Sequence, residues 1–416
     1  MNCSRCAVGQ FLRDARIGSA RHYVALAYFV AFLGLGVFMP YFPLYLAALG
    51  YTGWQIGLIV GLQPVLRWTS ALGWAHAADR WRIRARLLVL AGALGAFAVV
   101  PLLTVRELAA VVVVSTAIGL LHGPIIPMLD ATVMDHLPQL GGDYGRLRLW
   151  GSLAFVGGAL ASAPLVGRFS PAVVPLLLLL AALPVAPVLA RLPHAQAVPT
   201  EAARAPWMLL TPPLRAFLAT ALLLQVSSGA WIGFYALHTA RLGFPDTVPG
   251  LTWGLAVVAE IALFVSGARL IERVGPPDVI LVVVVLTAAR WALTAAAHSE
   301  VLVVALQLGH AITFSTFHLA SVLLLSQLVP AESRTGGQAL YGGIAFGLGG
   351  SAGLALAGVL VDRIGTPRLF AIEAMAALVA VVPALRLRRL IPQGGIASDR
   401  RTAPPRLRAG GGSSLE

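Results

Sequence analysis

The chain predicts an all-α polytopic membrane protein, twelve transmembrane helices in two pseudo-symmetric six-helix bundles. Three observations carry that prediction. Only 11% of its 416 residues are charged and 58% are hydrophobic, where a soluble domain carries about a quarter charged residues. Apolar runs of about 20 residues, enough to cross a bilayer as helices, recur along the whole length. The segment LWGSLAFVGGAL from Leu149 returns as LYGGIAFGLGGS from Leu340, and the same offset of 191 residues carries Tyr23, where the first run starts, onto Leu214, where the seventh starts.

The first run, 23–48, follows a polar, basic tail and is separated from the second, 54–74, by a short uncharged turn. A basic turn containing Asp79, Arg80, Arg82, Arg84 and Arg86 precedes the third run at 87–104. The fourth, 107–133, and the fifth, 145–167, are joined by a short polar turn, and the sixth covers 171–191. The longest polar gap, rich in Pro and Ala, then divides the chain near its middle. The second set reads 214–239, 248–270, 279–297, 302–325, 336–361 and 369–390.

Arginines gather before the first run, between the second and third, the fourth and fifth, the eighth and ninth, and after the last. The positive-inside rule therefore puts both termini in the cytoplasm, which requires an even number of spans. The expected organisation is a cytoplasmic tail (1–22), an N-terminal bundle (23–191), a cytoplasmic linker (192–213), a C-terminal bundle (214–390) and a cytoplasmic tail (391–416). The closing GGGSSLE has the composition of a cloning linker and is set aside.

The net charge of +13 does not point to nucleic acid, because the arginines lie in tails and alternate loops and not on one folded face. There is no lysine, so Schiff-base chemistry is excluded and every Lys/Arg cation is a guanidinium that stays charged. Cys3 and Cys6 form a lone CxxC; a zinc site needs four ligands, so they read as incidental thiols and no metal is expected. The polar start lacks the pattern of a removable signal peptide. No HExxH, nucleophile elbow or Walker loop is present, which argues against a membrane enzyme or a primary pump. The glycines of the repeat (Gly151, Gly157, Gly158, Gly342, Gly343, Gly349, Gly350) read as helix-packing contacts.

Charges inside the runs point to the chemistry. A charged group at mid-bilayer costs about 3 kcal/mol on insertion scales, and such groups are usually functional. Arg148 opens the helix that follows the one carrying Asp130 and is its nearest candidate partner. The pair either holds a polar solute across a cavity or clamps two helices. Glu260, Arg290 and His310 stand in three successive runs. An arginine that approaches and leaves a carboxylate switches its proton affinity; a static Glu260–Arg290 bridge is the alternative. Gln63 and Arg67 are four apart, on one face of the second helix, and either line the cavity or sit above a gate. Trp253 lies seven residues, or two turns, before Glu260 on the same face. His122 and His318 are helix–helix hydrogen bonds or proton sites, and Tyr41, Tyr45 and Trp231 are belts or walls. Three arginines (Arg67, Arg148, Arg290) against two acids (Asp130, Glu260) leave one positive charge over, which invites an anion. Duplicated halves place a solute site at the midplane between them, reached alternately from either side.

From Tyr23 to about Leu390 the chain resembles the major facilitator superfamily. The turn Gly73…Asp79-Arg80…Arg84-x-Arg86 is similar to that superfamily's signature loop between its second and third helices, with the inner glycine missing and the spacing loose. The segments DYGRLRLWGSLAFV, GLAVVAEIALF and AARW resemble the proton-coupled branch that contains lactose permease and the 3-phenylpropionate permeases, and are closest to the latter. The resemblance implies a substrate role for Asp130 and Arg148, and coupling roles for Glu260, Arg290 and His310. Phe155 stands where the lactose branch has a sugar-stacking tryptophan, and Thr313 where it has a proton-carrying glutamate. Galactoside recognition is thereby put in doubt, and Glu260, Asp130 or the His310/His318 pair must take the proton.

The expected function is a secondary active transporter of the bacterial inner membrane, monomeric and without a cofactor. It uses the proton gradient to move a small organic acid, with aromatic carboxylates among the forms that fit. A sugar or nucleoside symporter and a proton-driven exporter are the rivals within the class; a membrane-embedded enzyme or a transporter-like sensor is the rival outside it.

Overall fold

The computed structural model describes residues 3–140, 143–192, 210–330 and 333–391, and every regular element among them is helical. Nine stretches among the described residues are each long and apolar enough to cross a bilayer. The last of these, Gly336–Leu390, is broken at Gly365, whose φ of 77° leaves the helical region. Glycine adopts a positive φ without a Cβ clash, so this stretch makes two spans. The helices Gly53–Trp81 and Val248–Ser266 complete the twelve.

In chain order the spans are α1 (Ala20–Ala48), α2 (Gly53–Trp81), α3 (Arg84–Leu103), α4 (Leu108–His136), α5 (Tyr144–Phe169) and α6 (Pro171–Leu189). The second half comprises α7 (Pro212–Arg241), α8 (Val248–Ser266), α9 (Pro276–Ala296), α10 (Glu300–Leu328), α11 (336–364) and α12 (366–390). Three boundaries differ from the hydropathy runs. The first helix begins at Cys3, where the sequence suggested only a polar tail. α2 continues through Asp79 and Arg80 to Trp81, because a helix leaving the bilayer no longer needs apolar residues to persist. α8 ends at Ser266, and a short separate helix, Ala268–Val274, follows it. The linker at 193–209 and the tail from 392 lie outside the described residues.

The sequence repeat has a structural counterpart. α5 packs on α1 within its own half and on α8 across the interface, while α11 packs on α7 within its half and on α2 across the interface. Each contact is a close approach permitted by glycine. A Cβ on Gly158 of α5 would lie 2.5 Å from the Leu33 carbonyl of α1, and one on Gly353 of α11 would lie 2.5 Å from the Val226 carbonyl of α7. Gly151, Gly343 and Gly349 are similarly tight, but Gly157 and Gly342 face open space, so the packing reading of the repeat glycines holds only in part.

Apolar packing is distributed unevenly between the two ends. One core is confined to the N-terminal half around Tyr28, Leu129 and Leu147, and another to the C-terminal half around Phe217, Ile280 and Leu324. The largest core belongs to both halves: it joins Tyr41, Phe42 and Tyr45 of α1 to Trp231 and Phe234 of α7 and to Leu354 and Phe370 of α11 and α12. That shared core lies toward the end away from the arginine-rich turns, where Gly53 N–H donates to Asp362 Oδ2 (2.7 Å) and Gly250 N–H to the Tyr41 hydroxyl (3.0 Å). The halves are thus sealed together at one end; toward the other the α2–α11 contact continues, Trp68 Nε1 donating to the Ala339 carbonyl (3.2 Å), and a cavity opens beside it.

Candidate functional site

A cavity of about 630 Å³ separates the halves and extends toward the arginine-rich end. α1, α2, α4 and α5 line it from one side and α7 to α11 from the other. Gln63, Arg67, Arg148 and Phe155 line it from the first side and Trp231, Trp253, Glu260, Arg290, His310 and His318 from the second, so these residues singled out from sequence share one cavity. Asp130 does not line it.

The C-terminal wall holds a polar chain built on an aromatic floor. Arg290 is 5% exposed and donates to Thr313 Oγ1 (2.9 Å), the Leu306 carbonyl (3.1 Å) and Gln307 Oε1. Its guanidinium lies over Trp291 (4.4 Å) and Trp231 (4.9 Å). Arg290 Nη1 also points at His310 Nδ1 (3.4 Å), while His310 Nε2 lies 2.9 Å from Glu260 Oε1. A guanidinium has no acceptor, so Nδ1 must offer its lone pair and Nε2 carries the hydrogen given to Glu260. The ring is neutral in this arrangement. The static Glu260–Arg290 bridge, the alternative read from sequence, is absent: His310 stands between the two, and Gln307 and Thr313 take the arginine. Thr313 is what a guanidinium needs there, a hydroxyl lone pair, and Gln307 was not anticipated because a lone amide in an apolar run carries no distinguishing pattern.

Local backbone geometry positions these groups. α10 makes a wide i→i+5 turn over Ala311–Thr316, directly after His310, and such turns often occur at functional sites. His310, Phe314 and His318 stack along it, with ring centroids 5.2 and 6.2 Å apart and interplanar angles of 10° and 7°. The matching helix of the other half, α4, is interrupted directly after His122, at Gly123–Pro124. His318 also contacts Phe346 and Tyr341.

Aromatic rings connect the halves. Phe155 of α5 meets Trp253 of α8 (6.0 Å), which stacks on Trp231 of α7 (4.7 Å, 25°). Trp231 continues to Trp291 (6.4 Å). The indole nitrogens of Trp231 and Trp291 have no acceptor among the described residues.

On the N-terminal side, the Arg148 guanidinium lies over Phe32, 3.9 Å from its centroid, and 5.7 Å from that of Tyr28. Asp130 accepts hydroxyl hydrogens from Tyr28 (2.6 Å) and Tyr144 (3.0 Å). Among the described residues Asp130 and Arg148 form no ion pair, so the expected direct pairing is replaced by an aromatic and phenolic layer between acid and base. Two hydroxyl donors satisfy a buried carboxylate without a cation. Gln63 donates to the Ser115 carbonyl (2.8 Å). Arg67 lies 5.9 Å from the Phe38 ring, and its Nε has no partner among the described residues.

The signature-loop residues lie apart from the cavity. Arg84 joins Asp79 (3.1 Å) to Asp135 (2.6 Å), tying the ends of α2 and α4 to the start of α3. Asp135 was missed because it falls beyond the apolar run of α4. Arg80 is exposed on the last turn of α2, and Gly73 is exposed with open space where a side chain would stand.

Glu373 of α12 is a further acid well inside a span, and a buried one, so it joins Asp130 and Glu260 in balancing Arg67, Arg148 and Arg290, where the sequence left one positive charge over. In the cavity wall the charges do not balance: Arg67, Arg148 and Arg290 face it with Glu260 as the one carboxylate, since Asp130 and Glu373 lie behind the wall.

Twelve helices in two related halves around a charged central cavity define a secondary transporter of the major facilitator type. Residues 22–372 match the MFS_1 like family, and the chain belongs to it. It is 30% identical over 381 residues to a probable 3-phenylpropionic acid transporter of Escherichia coli (strain K12), covering 89% of this chain and 98% of that one. It is 29% identical over 357 residues to a maltose permease of Geobacillus stearothermophilus, covering 83% and 89%. The fold also superposes on the crystal structure of the nucleoside transporter NupG with a TM-score of 0.78 at 15% identity, over 88% of this chain and 98% of that one. It is a transporter and not an enzyme.

Proposed function

We propose that the protein is a proton-coupled symporter of a small organic acid, with an aromatic carboxylate as its preferred solute. One observation carries this reading: the cavity sets three guanidiniums against one carboxylate beside a run of stacked indoles. An anion offsets the surplus positive charge, and a flat ring finds stacking partners in Trp253 and Trp231. The similarity to the probable phenylpropionic acid transporter supports the same choice. Solute enters between the halves, and rocking of one half against the other exposes the site to either side in turn. The Glu260–His310–Arg290 chain is the coupling element: a proton taken by Glu260 neutralises the acceptor of the His310 hydrogen bond and loosens the chain. The positive-inside rule assigns the arginine-rich end to the cytoplasm of a bacterial inner membrane, and the protein works as a monomer.

The test is a thermal-shift screen of purified protein with 3-phenylpropionate, maltose and uridine at two pH values. A solute at about a hundred times its Kd stabilises the folded state by ~2.7 kcal/mol. Stabilisation by the aromatic acid alone is expected, and stabilisation by maltose or uridine alone overturns the reading. In proteoliposomes, Glu260→Gln should abolish uptake driven by a pH gradient while sparing counterflow exchange; unaltered uphill uptake would remove Glu260 from the mechanism.

A further inference from the structure

Glu373 is the buried acid that the cavity does not use. It lies in α12, 4% exposed, and its Oε1 accepts the backbone N–H of Ala230, while Oε2 has no hydrogen-bond partner among the described residues. No ion pair reaches it among the described residues. On α9, Arg290 is engaged by Gln307, Thr313 and the Leu306 carbonyl. On α7, Tyr235 lies beyond Trp231, and His238 is two turns from Ala230, bonded to Thr366 (3.0 Å). On α11, Asp362 is held by the Gly53 N–H; on α12 itself Arg368 stands near the opposite end from the arginine-rich turns.

What Glu373 holds is a break in a helix. α7 is interrupted at Ser227–Ser228, whose hydroxyls return to the Leu224 carbonyl (2.7 and 3.1 Å), and a new helix starts at Gly229. The first N–H groups of a helix lack internal acceptors and carry partial positive charge. Inside a bilayer no bulk water supplies those acceptors. Glu373 supplies one from α12. The break is pinned from α11 as well: a Cβ on Gly229 would lie 2.2 Å from the Gly353 carbonyl. The residue after Ala230 is Trp231, which packs on Trp253, His310 and Arg290 in the cavity wall. The carboxylate is thus one residue from the solute site along a helix segment, Gly229–Arg241, that is separate from the segment before it.

We propose that Glu373 is a second proton-binding site of the transport cycle and that its charge latches the broken half of α7. Ionised, it holds Ala230 by attraction between carboxylate and helix N-terminus. When one proton from the aqueous phase binds Oε2, the charge is neutralised, that attraction is lost, and Gly229–Arg241 is free to move Trp231 relative to Arg290. The inference rests on the transporter reading above, and it also provides an acid at a site where the resemblance did not call for one.

Infrared titration of detergent-purified protein tests it without any solute. In a Glu260→Gln background, the carbonyl band of a protonated buried carboxyl should grow as pH falls. Glu373→Gln should delete that band, and Glu373→Asp should shift it. In proteoliposomes, Glu373→Gln alone should lose pH-driven accumulation and keep counterflow. A band that persists unchanged in Glu373→Gln overturns the proposal, and so does pH-driven uptake by that variant equal to that of a parent that accumulates solute with protons. A band deleted by Glu373→Gln in a protein whose parent transports nothing with protons supports the proton site and overturns the coupling assigned to the cavity.

Discussion

Arg290 shows how a guanidinium is kept in an apolar interior. It is surrounded by acceptors from one helix, α10, and roofed by two indoles, so its charge is spread over hydrogen bonds and π faces without an acid in direct contact. Removing one acceptor leaves a buried N–H unsatisfied, which typically costs about 1–3 kcal/mol. Gln307→Ala should lower unfolding stability in detergent by that amount. A denaturation midpoint equal to that of the parent would mean that water replaces the amide. Arg290 and His310 were readable from sequence because charges in apolar runs stand out. Gln307 and Asp135 were not, since an amide or an acid just outside a run looks ordinary until its partner is located. Asp130 was readable as an intramembrane acid but misassigned in its contacts, because phenols from α1 and α5 reach it and nothing in linear spacing announces two tyrosines converging from different helices.

Helices meet where glycine removes a side chain, and the interruptions fall where the site lies. Adjacent glycines on α5 give a clean comparison. Gly157 faces open space, whereas a Cβ on Gly158 would lie 2.5 Å from the Leu33 carbonyl. Gly157→Ala should be neutral or stabilising by up to about 1 kcal/mol through helix propensity. Gly158→Ala should destabilise by about 1–3 kcal/mol through overpacking. Thermal unfolding of the two variants side by side measures the difference; equal midpoints would show that α1 and α5 slide apart freely. The spans themselves were legible within a few residues, because transfer of apolar side chains into lipid is a local property. The breaks in α7 and the wide turns of α10 and α11 were not, because Ser227–Ser228 and Gly343–Gly349 take non-α geometry only when neighbouring helices press on them.

At the scale of the molecule, two half-shells share one apolar core and one cavity. Sealing lies at the end opposite the arginine turns, through Tyr41–Gly250 and Gly53–Asp362. If opening of that end limits transport, weakening the tie across it speeds the cycle. Asp362→Ala removes the acceptor of the Gly53 N–H and leaves the close approach of Gly53 to Val361 intact, so it should speed counterflow exchange in proteoliposomes. An exchange rate equal to that of the parent would show that this contact does not hold the halves together.

The sequence alone determined the membrane class, the twelve spans, the duplication and the identity of most residues that share the cavity. Each of these follows from properties that a residue carries wherever it stands: its transfer energy, its charge and its recurrence at a fixed offset. Tertiary structure alone decided that His310 separates Glu260 from Arg290, that Asp130 stands behind the wall with two phenols, and that Glu373 caps a broken helix instead of facing the solute. Those outcomes depend on the rotation of each helix about its axis and on which neighbour it meets, and these are set by packing between segments from 14 to 143 residues apart in the chain.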